Sequence, residues 1–495
     1  MNFSRNLQDL IRSLGLAEKN YFRAFAKRRI KDGSASFLQL FDLMDRSNPC
    51  DEEKIAAKLG VADFPSMKMR LERMITDVIQ ERNMRLKPMS RIQSLYQQCI
   101  ILHQKRLYDL MYKRMDKMQK LCLQMEDYAS LRTMMQMKQA IALEGVDPGF
   151  IPPVMKGFYD LYPEVKARLR NLEAFSDMED LIHEARCSRP NQMYDVALAL
   201  SADPLLAEDA PKPSVREQFK FCELTRLVLR YTNRYFEAEK YSRKIIAAMD
   251  SAPHLLQDVV LKHHYLSQIK NIGLNHAARG EFDLARQAIK RLQELATSPV
   301  TLFERVHAIE LRMALRGLDR EGGAKVIQAI SEGMNAMGHR MRQLQIIDYS
   351  FQIAHFLLCL SEPSKALKWI LKLQQFTMAG TRVDLRHYAE ILFLICHYDL
   401  GNYALIPSEA RKTRRYLEKM AGLSEFEEAV ISGLTLAAKA KGEAARLAKL
   451  EELYQQLEVL FENPRLSIKR HYFPLLSWIR AKGSKRSPME VELEG

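Results

Sequence analysis

A chain of 495 residues with 47% hydrophobic content can form two or three ordinary domains or one elongated solenoid, whereas 20 glycines and 18 prolines are too few for an all-β protein with many tight turns. The net charge of +14 is uneven: residues 1–120 hold 24 Lys and Arg against 14 Asp and Glu, so attraction to an acidic partner belongs mainly to the N-terminal quarter. Seven dispersed cysteines without a CxxC pair, and no signal-peptide core or apolar run long enough to span a membrane, lead us to expect a cytoplasmic protein with reduced thiols.

Residues 1–81 read as an N-terminal segment of short helices, the last over Ser66–Glu81 and capped by Ser66. The Ile55–Val61 stretch followed by this helix resembles a DNA-binding helix-turn-helix. In that interpretation the second helix would offer basic and polar residues to the major groove and phosphates, namely Ser66, Lys68, Arg70 and Arg73. The connection Val61–Pro65 is longer than the usual turn and no wing hairpin follows. The alternative is a helical cap over the first repeat.

Residues 82–200 are expected to form long-helix hairpins, as degenerate repeats, with helices over 89–123, 127–144 and 154–187 and a Gly/Pro-rich break at 145–153. Four cations share one side of the 105–122 helix: Arg106, Lys113, Lys117 and Lys120. The opposite stripe is apolar and contains Met111, Met115, Met118 and Cys122. The basic ridge could meet an acidic peptide, a nucleic-acid backbone or an anionic surface. The alternative is the solvated face of a half-buried helix.

After a polar break at 201–214, paired helices run over residues 215–480, and a tail at 481–495 is expected to be disordered. The clearest pair is Ile269–Pro299. Gly273 in its first helix allows a neighbouring helix to approach, and Gly280 suits the left-handed backbone that ends a helix. The second helix then repeats apolar residues at helical spacing: Phe282, Ala285, Ile289 and Leu292.

This turn recurs along the chain. Asn233–Ala238, Ser361–Ala366 and Gly401–Tyr403 resemble it, Glu126–Tyr128 marks an early copy, and a degenerate copy lies near Gly322–Ala324. If Ala238, Ala285, Ala324, Ala366 and Ile406 are equivalent, the steps are 47, 39, 42 and 40 residues. These steps predict an irregular array of long helices.

The Ile269–Pro299 unit, with Gly273, Gly280 and Pro299, resembles a tetratricopeptide repeat. The stretches LGLAEKNYFRAF, SFLQLFDLMD, DEEKIAAKL and MKMRLERMITDVI are similar to those of uncharacterised bacterial proteins with the same layout. The tetratricopeptide resemblance implies a superhelix whose first helices line a concave surface for other polypeptides. On that analogy Ser267 and Lys270 are candidate partner-binding residues.

No phosphate loop, GxSxG elbow, HExxH motif or paired Cys and His ligand set is present in the sequence, so we expect neither an enzyme nor a cofactor or metal. The adjacent His263 and His264 point to different helix faces and do not suit one metal. The sequence therefore predicts an all-α fold, an α-solenoid of tetratricopeptide-like antiparallel helix pairs with an N-terminal helical segment. The predicted function is a scaffold that binds a protein or peptide on its concave surface. The alternative is a regulator that binds nucleic acid through its first 120 residues, with the repeats as sensor or partner-binding module.

Overall fold

The computed structural model describes residues 3–28, 35–46, 52–60, 63–143, 153–188, 190–296, 298–375, 383–420, 422–484 and 486–494. These residues form 25 α-helices and several short 3₁₀ helices, and the described ranges contain no strand. The all-α, solenoid-like prediction is confirmed. The chain divides into two compact units, Met1–Lys166 (unit 1) and Ala167–Gly495 (unit 2), so the expected 82–200 segment is shared between them.

Unit 1 begins with five helices that enclose their own core. They are α1 (Phe3–Ser13), α2 (Leu16–Arg28), α3 (Ala35–Arg46), α4 (Glu52–Leu59) and α5 (Phe64–Leu86). Core residues include Ile11, Phe22, Phe41 and Leu71, all fully buried, and the Phe22 and Phe41 rings stack 4.6 Å apart. Three longer helices follow, α6 (Pro88–Gln104), α7 (Tyr108–Gln124) and α8 (Tyr128–Leu143), and the division between the units falls within α9 (Pro153–Ser188).

Unit 2 continues with paired helices and a C-terminal set of shorter ones. The helices are α10 (Met193–Ser201), α11 (Val215–Tyr231), α12 (Tyr235–Ser251), α13 (Val259–Ala278), α14 (Phe282–Leu295), α15 (Pro299–Arg316), α16 (Arg320–Met337), α17 (Gln343–Cys359), α18 (Pro363–Gln374), α19 (Val383–Asp399), α20 (Ile406–Met420), α21 (Glu425–Lys439), α22 (Glu443–Leu460), α23 (Pro464–Ser467), α24 (Leu475–Ala481) and α25 (Pro488–Glu494).

The odd-numbered helices α11 to α21 are the first members of successive pairs, and each packs on the second member that follows it. First helices also pack on one another along the chain, as α13 on α15 and α15 on α17. Gly273 permits a close approach of α13 to α14 and α15, because a Cβ there would lie 2.7 Å from Ile309 Cδ1 and 3.0 Å from Ala288 Cβ. The predicted role of this glycine is confirmed.

One turn geometry recurs seven times within the described ranges and defines the repeat. A residue with positive φ follows the first helix, and the next N–H donates to the carbonyl five residues back, as Glu281 N to His276 O at 2.9 Å. The positive-φ residues are Arg106, Glu126, Asn233, Gly280, Leu318, Ser361 and Gly401. Five of the seven positions lie at turns expected from the sequence. The exceptions are Arg106, which splits the expected 89–123 helix into α6 and α7, and Leu318.

The position of Leu318 corrects the repeat register. Five residues after the positive-φ residue of each pair in unit 2 comes a buried residue: Ala238, Ala285, Gly323, Ala366 and Ile406. Ala324 is exposed, so its expected equivalence is wrong, and Gly323 takes that place. The turn residues from Asn233 onward are spaced by 47, 38, 43 and 40 residues. The longest step contains the 3₁₀ helix Pro253–Gln257 between α12 and α13.

Two local predictions are also corrected. Helix α5 begins at Phe64, and its N-cap is Asp63, whose carboxylate accepts a hydrogen bond from Ser66 N at 3.0 Å; Ser66 is therefore inside the helix. The C-terminal tail is helical over Pro488–Glu494, and α25 packs on α24 and α17 with Pro488 buried. A hydrogen bond from Ser477 to Glu492 ties α24 to α25. Most of the expected 145–153 break lies outside the described residues.

Candidate functional site

The inner face of unit 2 is the side of the first helices that carries Arg230 (α11), Lys270 (α13), Arg312 (α15) and Asp348 and His355 (α17). Lys270 identifies this face, because its charge interacts with groups on three other first helices at once. Burial lowers the pKa of the half-buried Lys270 ammonium, and Asp348 opposes that shift. The guanidinium groups of Arg305, Arg342 and Arg230 lower the pKa further.

The two residues expected to bind a partner are placed differently. Ser267 is partly buried, and its hydroxyl donates to the backbone oxygen of His263 at 2.9 Å, which occupies its one donor inside the helix. The Lys270 ammonium makes no hydrogen bond or ion pair with any residue that the structure describes. The ammonium group of Lys270 is therefore available to a ligand, whereas the hydroxyl donor of Ser267 is not.

A network of arginines surrounds His263 at the start of this face. Its Nδ1 lies 3.0 Å from Arg305 Nη2 and its Nε2 lies 3.1 Å from Arg342 Nη1. Burial, followed by the charges of Arg342 and Arg305, lowers the pKa of His263 to about 4, so the ring is neutral at pH 7. Glu304 accepts hydrogen bonds from Arg342 at 3.0 and 3.2 Å, which pairs that cation. Both ring nitrogens of His263 therefore face arginine nitrogens.

A second cation, Arg312, lies further along the same face. It lines a cavity of about 50 Å³ with Gln352 and His355 from α17 and with His471 and Tyr472. Burial lowers the pKa of Arg312, and its guanidinium makes no hydrogen bond or ion pair within the described ranges. Burial and the Arg312 charge together lower the pKa of His355 to about 3, so His355 contributes no positive charge at pH 7.

The chain's own residues 464–473, here named the crossing segment, lie on the inner face. The side-chain amide of Asn233, in the turn after α11, donates to Pro464 O and to Ser467 Oγ, both at 2.6 Å. The His471 ring lies 4.1 Å from that of Tyr235, and Tyr472 OH donates to Asp384 Oδ2 of α19 at 2.9 Å. The segment therefore joins the first helix pair of unit 2 to later ones.

Two cations of the crossing segment have carboxylate partners. Arg465 Nε lies 2.8 Å from Asp195 of α10, and Lys469 Nζ lies 2.7 Å from Glu427 of α21, a pair that is almost fully buried. A cavity of about 250 Å³ remains beside the segment, and its lining includes Arg186, Tyr194, Tyr231, Asp384, Arg465 and Lys469. Of this lining, Arg465, Lys469 and Asp384 therefore already have partners.

The basic ridge expected in unit 1 is only partly formed. Lys113, Lys117 and Lys120 are exposed on α7, and Lys120 pairs with Asp116 at 2.9 Å. Arg106 is also exposed, but it lies in the turn before α7 with φ of 57° and so is not on the helix. The opposite stripe is buried as predicted and contains Met111, Met115, Met118 and Cys122.

The residues of the helix-turn-helix interpretation divide by burial. Arg70 and Arg73 are exposed on α5, and Ser66 is partly buried. Lys68 is 7% exposed and its ammonium lies 5.0 Å from the centre of the Phe64 ring, so it cannot reach a DNA phosphate without leaving the core. Residue 68 falls on the buried side of α5, so its burial does not favour the predicted DNA contact, which stays a prediction.

Arg312 and the crossing segment are the functional features that sequence reasoning missed. Arg312 lies in an unremarkable helical stretch, and its lack of a partner depends on which neighbours the fold supplies. Residues 464–473 contain four basic side chains and two aromatic rings, which was the one available signal. These residues lie more than 200 positions after Asn233 in the sequence, so residue spacing could not reveal that they contact it.

Within the described residues there is no group of three or more His, Cys, Asp or Glu side chains placed to hold a metal ion, and no helix long and apolar enough to cross a membrane. No disulfide joins the six cysteines in those ranges, and Cys50 lies outside them. The fold and the inner face thus define an all-α protein of stacked helix pairs. Comparison with protein-family models, curated proteins and solved structures finds no significant match to the chain.

Proposed function

We propose that this protein is a non-enzymatic helical-repeat scaffold of the tetratricopeptide kind, which binds a protein or peptide partner on the inner face of unit 2. The supporting observation is Lys270, a half-buried cation on a first helix with no partner among the described residues. Desolvating a charge without a partner costs stability, and such a cost is typical of residues that serve binding.

The crossing segment supports a polypeptide as the kind of ligand. The face already receives a short, mostly helical stretch of the chain through side-chain amide, carboxylate and ring contacts, as at Asn233, Asp384 and Tyr235. Stacked helix pairs in general offer an extended surface of this kind to other chains. Likeness to a particular bacterial family remains a prediction, and the dispersed cysteines support a cytoplasmic location.

The test is affinity purification from the native cell with mass spectrometry, with and without nuclease. Lys270→Glu should reduce capture of a specific protein while the helical circular dichroism stays unchanged. Lys325→Glu is the matched control, because Lys325 lies on the second helix α16, is exposed and pairs only with Glu321. Equal capture by the wild type and by both variants would remove Lys270 from the interface.

A nucleic-acid-binding regulator is the second proposal, and the exposure of Arg70, Arg73, Lys113 and Lys117 in unit 1 favours it. Binding through these residues should weaken steeply with salt, because each phosphate contact releases counterions. A double variant, Arg73→Glu with Lys117→Glu, should abolish retention of an oligonucleotide by the full-length chain at low salt. If the wild type retains no oligonucleotide at low salt, this proposal fails.

A further inference from the structure

Lys270 and Arg312 differ from two other enclosed cations of unit 2 in how their charge is compensated. Arg226 pairs with Glu223 at 2.8 Å, and Lys469 of the crossing segment pairs with Glu427 at 2.7 Å. Lys270 and Arg312 are both half-buried, yet neither has a hydrogen bond or an ion pair in the described part of the chain. The fold leaves eight N–H donors of these two side chains unused.

The surroundings of these two cations increase the imbalance. Three arginines add positive potential at Lys270, and Asp348 opposes them. His355 lies beside Arg312 in the same cavity lining and, being neutral at pH 7, does not compensate its charge. Glu304 is already committed to Arg342. A desolvated positive face of this kind is compensated when a ligand brings carboxylates.

We propose that the inner face binds an acidic stretch of polypeptide, with carboxylates of the ligand paired to Lys270 and Arg312. This inference rests on the proposed function and names the chemistry of the partner. The ligand is a peptide rather than a nucleic acid because Asp348 and Glu304 lie among the cations of the face. A continuous phosphate backbone would be repelled by these two carboxylates. The crossing segment shows that polypeptide fits against the same helices.

The length of the ligand follows from helix packing. The face extends from α11 to α17, which is three steps between neighbouring first helices. At about 9 Å a step the distance is roughly 27 Å, and an extended peptide of about eight residues covers it. Bidentate pairing suits Arg312, whose planar guanidinium matches a carboxylate, whereas Lys270 can accept a carboxylate from several directions.

The experiment is fluorescence anisotropy of the full-length protein with three labelled probes: a ten-residue peptide rich in Glu and Asp, a Lys-rich peptide of equal length and a ten-nucleotide single-stranded DNA. The acidic peptide should bind, and its affinity should fall as salt rises. Lys270→Met and Arg312→Met should each weaken it about tenfold, as expected for loss of one enclosed charge-assisted contact. Lys325→Met is the control, because it removes the same charge from an exposed second-helix site.

Each remaining outcome counts against the inference. It is overturned if the acidic peptide does not bind the wild type, if both variants bind it as the wild type does, or if the Lys-rich peptide binds more tightly. Preferential DNA binding that Lys270→Met abolishes would also overturn it in favour of nucleic acid. If a partner is captured from the cell through Lys270 but the acidic peptide does not bind, the scaffold function stands and only the acidic chemistry fails. The salt dependence of the wild type tests the idea without any variant.

Discussion

Gly323 is the position at which the repeat register can be tested directly. It lies in the first turn of α16, five residues after the positive-φ Leu318, and it faces α17. A Cβ added at Gly323 would lie 2.0 Å from Phe356 Cζ and 2.8 Å from both Cε atoms, and Phe356 is 2% exposed. The substitution Gly323→Ala therefore forces the Phe356 ring to move within a closely packed core.

The magnitude follows from two opposing effects. Carbon atoms pack at about 3.5 Å or more, so the ring must retreat by roughly 1.5 Å, and overpacking of this size costs up to about 3 kcal/mol. Replacing Gly by Ala inside a helix returns about 1 kcal/mol. We expect Gly323→Ala to lower the free energy of unfolding of unit 2 by about 2 kcal/mol.

The assay is urea denaturation followed by tryptophan fluorescence. Both tryptophans, Trp369 and Trp478, are in unit 2, so the signal reports this unit alone. Adding Phe356→Leu removes the clashing ring atoms, so in that background Gly323→Ala should become neutral or stabilising.

Two controls accompany this measurement. Gly338→Ala should be neutral because no atom lies within 4 Å of its added Cβ, and the exposed Ala324 should tolerate Glu. A stable Gly323→Ala variant, or equal effects of the substitution with and without Phe356, would refute the register and the packing argument.

Three further predictions use the same fluorescence assay. Burial, then the charge of Lys469, lowers the pKa of the 3% exposed His387 from 6.5 to about 4. Because the unfolded chain binds this proton first as pH falls, the free energy of unfolding should drop between these pH values, by about 2 kcal/mol at pH 5. The substitution His387→Leu should remove that part of the pH dependence. Lys270→Met should raise the urea midpoint because it removes an uncompensated charge. Lys469→Met should lower the free energy of unfolding by about 3 kcal/mol because it leaves the buried Glu427 without its partner. A lower urea midpoint for Lys270→Met would contradict the binding role. Ser361→Gly should stabilise and Gly280→Ala should destabilise by about 1 kcal/mol, since both positions have positive φ; equal midpoints would refute the strain argument.

The fold class could be predicted because helical periodicity and five recognisable turns repeat along the chain. The misplaced turns have a common cause. Arg106 and Leu318 adopt positive φ without the glycine or asparagine that usually marks it; Glu126 and Ser361 do so too, but the residues that follow them resemble the Gly280–Ala285 turn, whereas those after Arg106 and Leu318 do not. Tertiary packing imposes the left-handed conformation there, and local propensity does not reveal it.

Only those site residues could be predicted whose place on the inner face follows from their position within their own helix pair. Lys270 was reached by analogy with first-helix residues. Arg312 satisfies the same rule, but its significance depends on whether a carboxylate of a neighbouring helix reaches it, which only the packed structure decides. The burial of Lys68 could not be read from the sequence, because it depends on which side of the helix that begins at Phe64 packs on the core.

The crossing segment and the proposed acidic ligand can both bind the inner face because they pair with different charged groups of unit 2. The segment brings Arg465 and Lys469 and pairs them with Asp195 and Glu427, so its contacts consume acidic groups of the unit and no cation of the inner face. It also places His471 near Arg230, and burial, followed by the charges of Arg230 and Arg470, lowers the pKa of His471. An acidic peptide can therefore pair with Lys270 without breaking any contact of the segment described above. Displacement of the segment would strand Glu427, which is 2% exposed, and this cost favours a ligand that binds beside the segment rather than in its place.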